Sequence, residues 1–376
     1  MPVKLKWPWL GIAIPSFLVS YIGYTSHFFI LSNYIGRRRL LAFQLALSMI
    51  WISYVLAIKS NPGKPPSNFS PREGQWRNYC RRCNNFKPER THHCKTCDQC
   101  VLVMDHHCPW TMNCVGHRNF AHFMRFLFWV IFTTSYLGVM LGQRILDHWH
   151  LRNSHAFVHT TELCFLAINT PLNAFVWLTM IMLFVRCVNN QILNGMTQIE
   201  SWEMERIENL LHRRRLIPQL LVNLREFYPN SELTGDDDKH RLNDGRKLPV
   251  EDIVCFPYDL TVSTNACTFM GPFYSWLLPW GQPAGDGVNF ETNEIATYEP
   301  ESPLEDRFMS LPWPPDGGRQ KSENVNLETA SIAIHSSRGE AVLKKRPLPP
   351  RLSSQRKEWQ NEWGESLADF GVDVDA

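Results

Sequence analysis

CRRCNNFKPERTHHCKTCDQCVLVMDHHCPWTMNC, residues 80–114, holds seven of the eleven cysteines in a chain of 376 residues. Two Cys-x2-Cys pairs, at Cys80 and at Cys94, each place two thiolates on one turn, which is the usual half of a tetrahedral zinc site. His93 and His107 each adjoin a cysteine and are candidate ligands as well. Clustering at this density indicates a metal-binding domain.

The number of candidate ligands fits two zinc ions if one cysteine is left over. With Cys108 set aside, six cysteines and two histidines complete two Cys3His sites. These ligands are Cys80, Cys83, His93, Cys94, Cys97, Cys100, His107 and Cys114. The count alone does not exclude another leftover cysteine, and the spacing does not decide which ligands share a metal. A zinc module with a purely structural role is the alternative interpretation.

Four long runs of the chain contain no Asp, Glu, Lys or Arg, and the first run is too long for a cleavable signal peptide. An apolar run of about 20 residues is what a helix needs to cross about 30 Å of hydrocarbon. We therefore predict a polytopic α-helical membrane protein with four transmembrane helices, rather than a soluble protein with four buried helices. The uncharged runs are Trp7–Gly36, Leu40–Ile58, Phe126–Gln143 and Leu163–Val185, and the predicted helices lie near 8–31, 40–58, 123–144 and 163–187.

Basic residues are distributed unequally between the loops. Residues 59–125 carry eleven Lys or Arg, whereas residues 144–162 carry Arg144 and Arg152 alone. By the positive-inside rule, the cysteine-rich zinc domain between helices 2 and 3 is cytosolic, as are both termini. Arg37–Arg39 oppose this orientation but are outnumbered. Since cytosolic thiols stay reduced, the clustered cysteines indicate metal binding or catalysis rather than disulfides.

The chain divides into five predicted segments. In order, they are residues 8–58 with transmembrane helices 1 and 2, 61–122 with the zinc domain, 123–187 with transmembrane helices 3 and 4, 188–288 as a C-terminal region, and 289–376 as a tail. The tail is rich in Pro, Ser, Glu and Gly and has little periodicity, a composition that predicts disorder.

Residues 196–221 of the C-terminal region have apolar positions at helical spacing. This pattern predicts one amphipathic helix on the membrane surface. The apolar positions are Ile199, Met204, Ile207, Leu210 and Leu211. Arg213–Arg215 suit anionic headgroups or the phosphates of a ligand, and a solvated basic face is the alternative.

Asp105-His106-His107-Cys108 contains the cysteine that the zinc count sets aside. A cysteine nucleophile reacts as a thiolate, and a neighbouring base or cation lowers its pKa. His106 is free in the ligand count and can accept the thiol proton, while Asp105 can orient the imidazole. As a zinc ligand, His107 would hold the backbone beside Cys108 in place. A surface pair, or a contact to a metal ligand, is the alternative interpretation of Asp105 and His106.

The segment Cys80–Phe123 resembles the zinc-binding core of the DHHC family of protein S-acyltransferases (palmitoyltransferases) in the order and spacing of its motifs. The resemblance implies that Cys108 attacks the thioester of palmitoyl-CoA, forms an acyl-enzyme, and passes the acyl group to a cysteine of a membrane-associated protein in a ping-pong cycle. It implies that His106 is the base and Asp105 its orienting partner. It also implies two structural Zn²⁺ ions with interlocked ligands, Cys80, Cys83, His93 and Cys100 for one and Cys94, Cys97, His107 and Cys114 for the other.

Flanking motifs resemble those of the family, with departures. The family's Asp-Pro-Gly is Asn61-Pro62-Gly63 here, and its Thr-Thr-x-Glu is Thr197-Gln198-Ile199-Glu200. The roles of Asn61 and Gln198 are therefore open. FPYDL (256–260) and Trp276–Trp280 resemble an aromatic block of fungal members in the endoplasmic reticulum, which favours that membrane. Tyr24, Phe128 and Tyr136 are candidate lining residues of an acyl-chain cavity between the spans.

Two other functions are alternatives to acyl transfer. A membrane-anchored nucleic-acid-binding protein would use the basic residues Arg81, Arg82, Lys87, Arg90 and Lys95. Acidic residues are interspersed and no recognition helix follows the ligands, so we expect no nucleic acid as a partner. A catalytically silent zinc adaptor would not need both Cys108 and an unliganded His106. The expected partners are acyl-CoA, protein substrates and the lipid bilayer.

Overall fold

Four long helices form the first part of the architecture in this computed structural model, which describes residues 7–152, 159–213, 215–228, 254–297, 308–318 and 359–373. They are α1 (Leu10–Phe29), α2 (Arg37–Lys59), α3 (Phe120–Leu151) and α4 (Thr160–Cys187). Each is long and apolar enough to cross a membrane, as the sequence predicted. α4 continues without a break into a π-helical turn, Val188–Leu193.

Small and amide side chains hold the four helices together. A Cβ at Gly23 of α1 would lie 2.7 Å from a methyl of Leu47 in α2, so this glycine permits close packing. Asn169 of α4 donates to the hydroxyl of Ser26 in α1 at 2.9 Å, and Asn173 donates to the carbonyl of Thr134 in α3 at 2.9 Å. Such contacts replace the hydrophobic driving force that is missing between helices in lipid.

Three antiparallel hairpins lie between α2 and α3. They pair β1 (Tyr79–Cys80) with β2 (Asn85–Phe86), β3 (His92–Cys94) with β4 (Gln99–Val101), and β5 (His106–Cys108) with β6 (Asn113–Val115). The turns need left-handed backbone at Asn84, Asp98 and Met112, with φ of 52°, 48° and 51°. Strands this short bury little apolar surface, so a domain built from them depends on another source of stability, such as bound metal.

The predicted single amphipathic helix at 196–221 is wrong in extent and in environment. The chain forms two helices, α5 (Gln198–His212) and α6 (Leu216–Phe227). Ile207 is fully buried in a cluster with residues of α6, and Ile199 is fully buried against the zinc domain. The apolar stripe therefore packs on protein and not on a membrane surface. Periodicity identifies a buried face but does not identify what covers it.

Part of the predicted disordered tail is ordered. Residues 289–297, 308–318 and 359–373 have defined structure. In the last of these segments, Leu367, Phe370 and Val372 pack into a cluster with Cys94 and Trp202. The carbonyl of Gly371 accepts from the amide of Lys95 at 2.9 Å, and the amide of Asp373 donates to the carbonyl of His93 at 2.8 Å. The average composition of the tail did not reveal these few apolar residues. They are sufficient to hold the segment in place because the zinc domain offers a matching apolar surface. The remaining tail residues lie outside the described ranges.

The aromatic block of the sequence contacts the start of α3. A short helix, α7 (Val262–Met270), follows FPYDL and places Phe269 in the same apolar cluster as residues of α2 and α3. The guanidinium of Arg125 in α3 then donates to the carbonyls of Trp276 and Gly281 at 2.8 and 2.9 Å. Trp280 itself is exposed.

Candidate active site

The zinc domain brings the eight predicted ligands together as two groups of four. One group is Cys80, Cys83, His93 and Cys100, and the other is Cys94, Cys97, His107 and Cys114. Within each group all ligand atoms lie within 4.8 Å of one another. These groups are the ones that the family resemblance implied.

Alternation along β3 explains why the two groups interlock. Successive side chains of a strand point to opposite faces. His93 lies directly across from Cys100 in the β3–β4 hairpin and joins the first group. Its neighbour Cys94 points the other way and joins the second group, in which His107 lies directly across from Cys114.

The spacing of the ligand atoms fits zinc. Bonds of about 2.3 Å for Zn–S and about 2.0 Å for Zn–N place sulfur and nitrogen about 3.5 Å apart in a tetrahedral site. The Nδ1 of His93 lies 3.5, 3.3 and 3.8 Å from the sulfurs of its group. The Nδ1 of His107 lies 3.7, 3.4 and 3.7 Å from its sulfurs. Both groups can therefore hold a tetrahedral zinc ion without rearrangement.

The same alternation along β5 separates the candidate catalytic residues from the metal ligand. His107 points to the second ligand group, and His106 and Cys108 therefore point to the opposite face. On that face Cys108 is 4% exposed and belongs to an apolar cluster formed largely by residues of α2 and α3. Phe123, in the first turn of α3, packs edge-on against the imidazole of His106 at 5.5 Å.

Asp105, His106 and Cys108 form a connected relay. The Nδ1 of His106 lies 2.8 Å from the Oδ2 of Asp105, whose side chain is buried. The carboxylate fixes the proton on Nδ1, which leaves Nε2 as the nitrogen available to the thiol. Burial opposes charge on the imidazole, but hydrogen bonds to Asp105 and Cys108 outweigh it and raise the pKa of His106 to about 10. Burial likewise opposes the thiolate, but the hydrogen bond and charge of His106 lower the pKa of Cys108. The pair thus favours an imidazolium beside a thiolate.

Contacts to the end of α2 fix the position of Cys108 relative to the second span. Asn113, across from Cys108 in the hairpin, donates to the carbonyls of Ile58 and Ser60 at the end of α2, at 3.1 and 2.8 Å. The hydroxyl of Tyr54 donates to the carbonyl of Trp110 at 2.7 Å. The hairpin that carries Cys108 is therefore attached to the end of the second span.

The first span contacts the loop that follows Cys108. A Cβ at Gly11 of α1 would lie 2.0 Å from the carbonyl oxygen of Pro109, so only glycine allows this approach. The sequence carried no signal for this contact, because nothing marks Gly11 as different from other glycines in the spans.

The two departures from the family motifs have structural explanations. The Oδ1 of Asn61 accepts from the amide of Gly63 at 2.9 Å, which requires an acceptor oxygen and no charge. Thr197 caps α5 by accepting from the amide of Glu200 at 3.2 Å, and Glu200 accepts from the amide of Thr197 at 2.8 Å. Gln198 contributes its backbone amide, which donates to the Oδ1 of Asp105 at 2.8 Å.

Arg90 is a site residue whose role the sequence did not reveal. Its guanidinium donates to both carboxylate oxygens of Glu200, at 2.7 and 2.6 Å, and its Cζ lies 4.7 Å from the ring centroid of Tyr258. Its carbonyl accepts from the amide of Met104, which precedes Asp105. Arg90 therefore joins the zinc domain to α5 and to FPYDL. In the sequence Arg90 was one of several basic residues of the zinc domain, and nothing distinguished it from the others.

Gln191 is the second residue that sequence reasoning missed. It lies in the π-helical turn, is fully buried, and donates from Nε2 to the Oδ1 of Asp105 at 2.5 Å. The candidate cavity residues Tyr24, Phe128 and Tyr136 are not members of the described cluster around Cys108. Tyr136 instead donates to the carbonyl of Arg39, at the other end of α2.

Comparison with known proteins agrees with this geometry. Residues 74–205 match the DHHC palmitoyltransferase family. The chain is 51% identical over 377 residues to palmitoyltransferase PFA4 of Saccharomyces cerevisiae and 50% identical over 377 residues to that of Kluyveromyces lactis, each match covering 100% of both chains. It is 36% identical over 455 residues to palmitoyltransferase PFA4 of Candida albicans, again over 100% of both. This chain belongs to the DHHC palmitoyltransferase family.

Proposed function

We propose that this protein S-palmitoyltransferase moves a palmitoyl group from palmitoyl-CoA to cysteine thiols of membrane-associated proteins through an acyl-enzyme on Cys108. The observation that carries the proposal is the relay from the buried Asp105 through His106 to the buried Cys108. The thiol proton passes to His106, and the thiolate attacks the carbonyl carbon of the thioester. Coenzyme A then leaves as its thiolate and takes up the proton.

In the second half of the cycle, a substrate cysteine attacks the thioester on Cys108. His106 accepts the proton of the incoming thiol and returns it to Cys108 as the acyl group leaves. The chemistry is the reverse of the first half with a different thiol, so one relay serves both steps. Two Zn²⁺ ions, held by the eight ligands described above, would fix β3 and β5 and thereby the relay, without contacting the reacting atoms.

The acyl chain would lie between α2 and α3. Cys108 shares its apolar cluster with Ile50 and Tyr54 of α2 and with Phe126 and Val130 of α3. The ring of Tyr54 stacks on that of Phe126 at 4.8 Å. Each CH2 of the chain buried against such a surface contributes about 0.8 kcal/mol, which favours an acyl group of this length over a short one.

We also propose that the active site and both termini face the cytosol, in the endoplasmic reticulum membrane. The excess of basic residues in 59–125 supports the orientation. The block from FPYDL to Trp280, which resembles that of fungal members in that compartment, supports the choice of membrane.

Labelling of the purified, detergent-solubilised protein with a palmitoyl-CoA analogue tests the activity. We expect a thioester-linked label on the wild type that is absent in Cys108→Ser. The exposed Cys164 offers the matched control, since Cys164→Ser should be labelled normally. Cys97→Ser should lose both zinc and label. Label that persists in Cys108→Ser would place the nucleophile elsewhere, and an unlabelled, zinc-loaded wild type would favour the adaptor function.

A further inference from the structure

The carboxylate of Asp105 is held by three donors, only one of which lies in its own motif. Its Oδ2 faces His106, whereas its Oδ1 accepts from the side chain of Gln191 at 2.5 Å and from the backbone amide of Gln198 at 2.8 Å. Asp105 is 1% exposed, and within the described part of the chain no Lys or Arg pairs with it. A buried carboxylate needs such donors, because burial of a charge without hydrogen bonds is unfavourable.

Apart from its contact with Asp105, the side-chain amide of Gln191 has no structural role among the described residues. Its side chain is fully buried, and its Oε1 has no hydrogen-bond partner among the described residues. Leaving a buried polar atom without a partner costs free energy of folding. An apolar residue of the same size would avoid that cost, so packing alone does not explain a glutamine here. Among the described residues, the one hydrogen-bond partner of its side chain is Asp105.

The π-helical turn provides the placement of Gln191. An α-helix that continued from α4 would present a different face at this position, and an inserted π turn changes which side chain points inward. The amide of Met196 donates to the carbonyl of Asn190 at 2.9 Å. This hydrogen bond turns the chain so that Thr197 follows close to the π-helical turn. The turn therefore brings the end of the fourth span and the start of α5 to the same carboxylate oxygen.

The side chain of Gln198 does not substitute for this contact. Its Nε2 and Oε1 are both buried without a partner in the described residues. The family motif has threonine at this position, where a hydroxyl would lie next to the amide that already contacts Asp105. Here that hydroxyl is missing and the second donor comes from Gln191.

We propose that Gln191 is a positioning residue of the acyl-transfer site, and that it supplies from the fourth span the side-chain donor that position 198 lacks. By holding Oδ1, it keeps Oδ2 directed at the Nδ1 of His106 and so keeps Nε2 directed at Cys108. The proposal rests on the acyl-enzyme mechanism proposed above.

Gln191→Met tests this role, because methionine keeps the length and shape of glutamine and removes the donor. Thioester formation on Cys108 is followed by rapid quench over a range of palmitoyl-CoA concentrations, with zinc content measured on the same samples. We expect the maximal rate to fall about 10–100-fold, because misplacing a reacting group by about 1 Å can cost about 10²-fold in rate. The half-saturating concentration and the zinc content should not change. Asn189→Leu, at an exposed amide in the same turn, should react like the wild type.

Gln198→Thr in the Gln191→Met background separates positioning from a general structural role. If Gln191 acts through Asp105, the new hydroxyl should recover part of the lost rate. A Gln191→Met variant that reacts at the wild-type rate overturns the proposal. So does a slow variant that has lost zinc and is not rescued by Gln198→Thr. An unlabelled wild type would instead refute the acyl-enzyme mechanism itself.

Discussion

Replacement of Arg90 by methionine is expected to weaken the packing of the zinc domain against the C-terminal helices and to lower the stability of the protein. The side chains of Arg90 and Glu200 are each 2% exposed, and their ion pair is closed by two hydrogen bonds. The guanidinium also donates to the carbonyl of Gly195 at 2.7 Å and lies over the ring of Tyr258. Methionine retains the apolar stem and leaves the carboxylate of Glu200 buried without its cation.

The magnitude follows from the uncompensated charge. Removing one partner of a buried ion pair costs about 3–5 kcal/mol. For a folding unit of some 150–250 residues, 1 kcal/mol shifts Tm by about 2–4 °C, so Arg90→Met should lower Tm by about 6–20 °C. Thermal unfolding of the purified protein in detergent, followed by tryptophan fluorescence with zinc present, measures this shift.

Two further variants show whether the cause is the buried charge. Glu200→Gln in the Arg90→Met background removes the charge and should recover about 0.5–3 kcal/mol relative to Arg90→Met alone. Arg81→Met, at an exposed arginine of the same domain, should change stability by less than about 0.5 kcal/mol. If Arg90→Met is no less stable than Arg81→Met, or if the double variant is worse than the sum of its parts, the reasoning from the buried pair is refuted.

Three other changes have defined outcomes. His106→Ala should slow thioester formation on Cys108 by about 10²–10⁴-fold. The residual rate should still be rising with pH at a free thiol's pKa of about 8.5, because burial raises the pKa of the Cys108 thiol and the imidazole no longer lowers it. A flat pH profile in rapid-quench assays would contradict the base role. Burial raises the pKa of Glu203 from 4.5 to about 8, so the native state keeps a proton that the unfolded chain releases, and stability should fall as pH rises through that range. Glu203→Gln should flatten this dependence of Tm on pH, and a slope equal to that of the wild type would refute it. Phe370→Asp should undock the segment 359–373, which hydrogen exchange would register as lost protection of the Lys95 amide; unchanged protection would argue against docking.

The features that the sequence determined by itself are those encoded by residues close together in the chain. A helix that crosses a bilayer needs one uninterrupted apolar run, and each of the four candidate spans overlaps one such run. Half of a zinc site needs two cysteines on one turn, so Cys80 and Cys94 marked the ligand groups directly. The sequence alone did not show which ligands share a metal, and that grouping was implied by the family resemblance. The alternation of side chains along β3 is the physical reason for the grouping.

The remaining features depend on surfaces that meet only after folding. The donors to the Oδ1 of Asp105 come from Gln191 and Gln198, far along the chain, and no local pattern relates them to Asp105. The amphipathic stripe of α5 and the apolar residues of the tail were visible in the sequence, but what covers them was not. The free energy of burial depends on the apolar area that is removed from water. It is the same whether lipid, a neighbouring part of the protein or a distant segment covers that area. Tertiary structure alone decided that protein covers both.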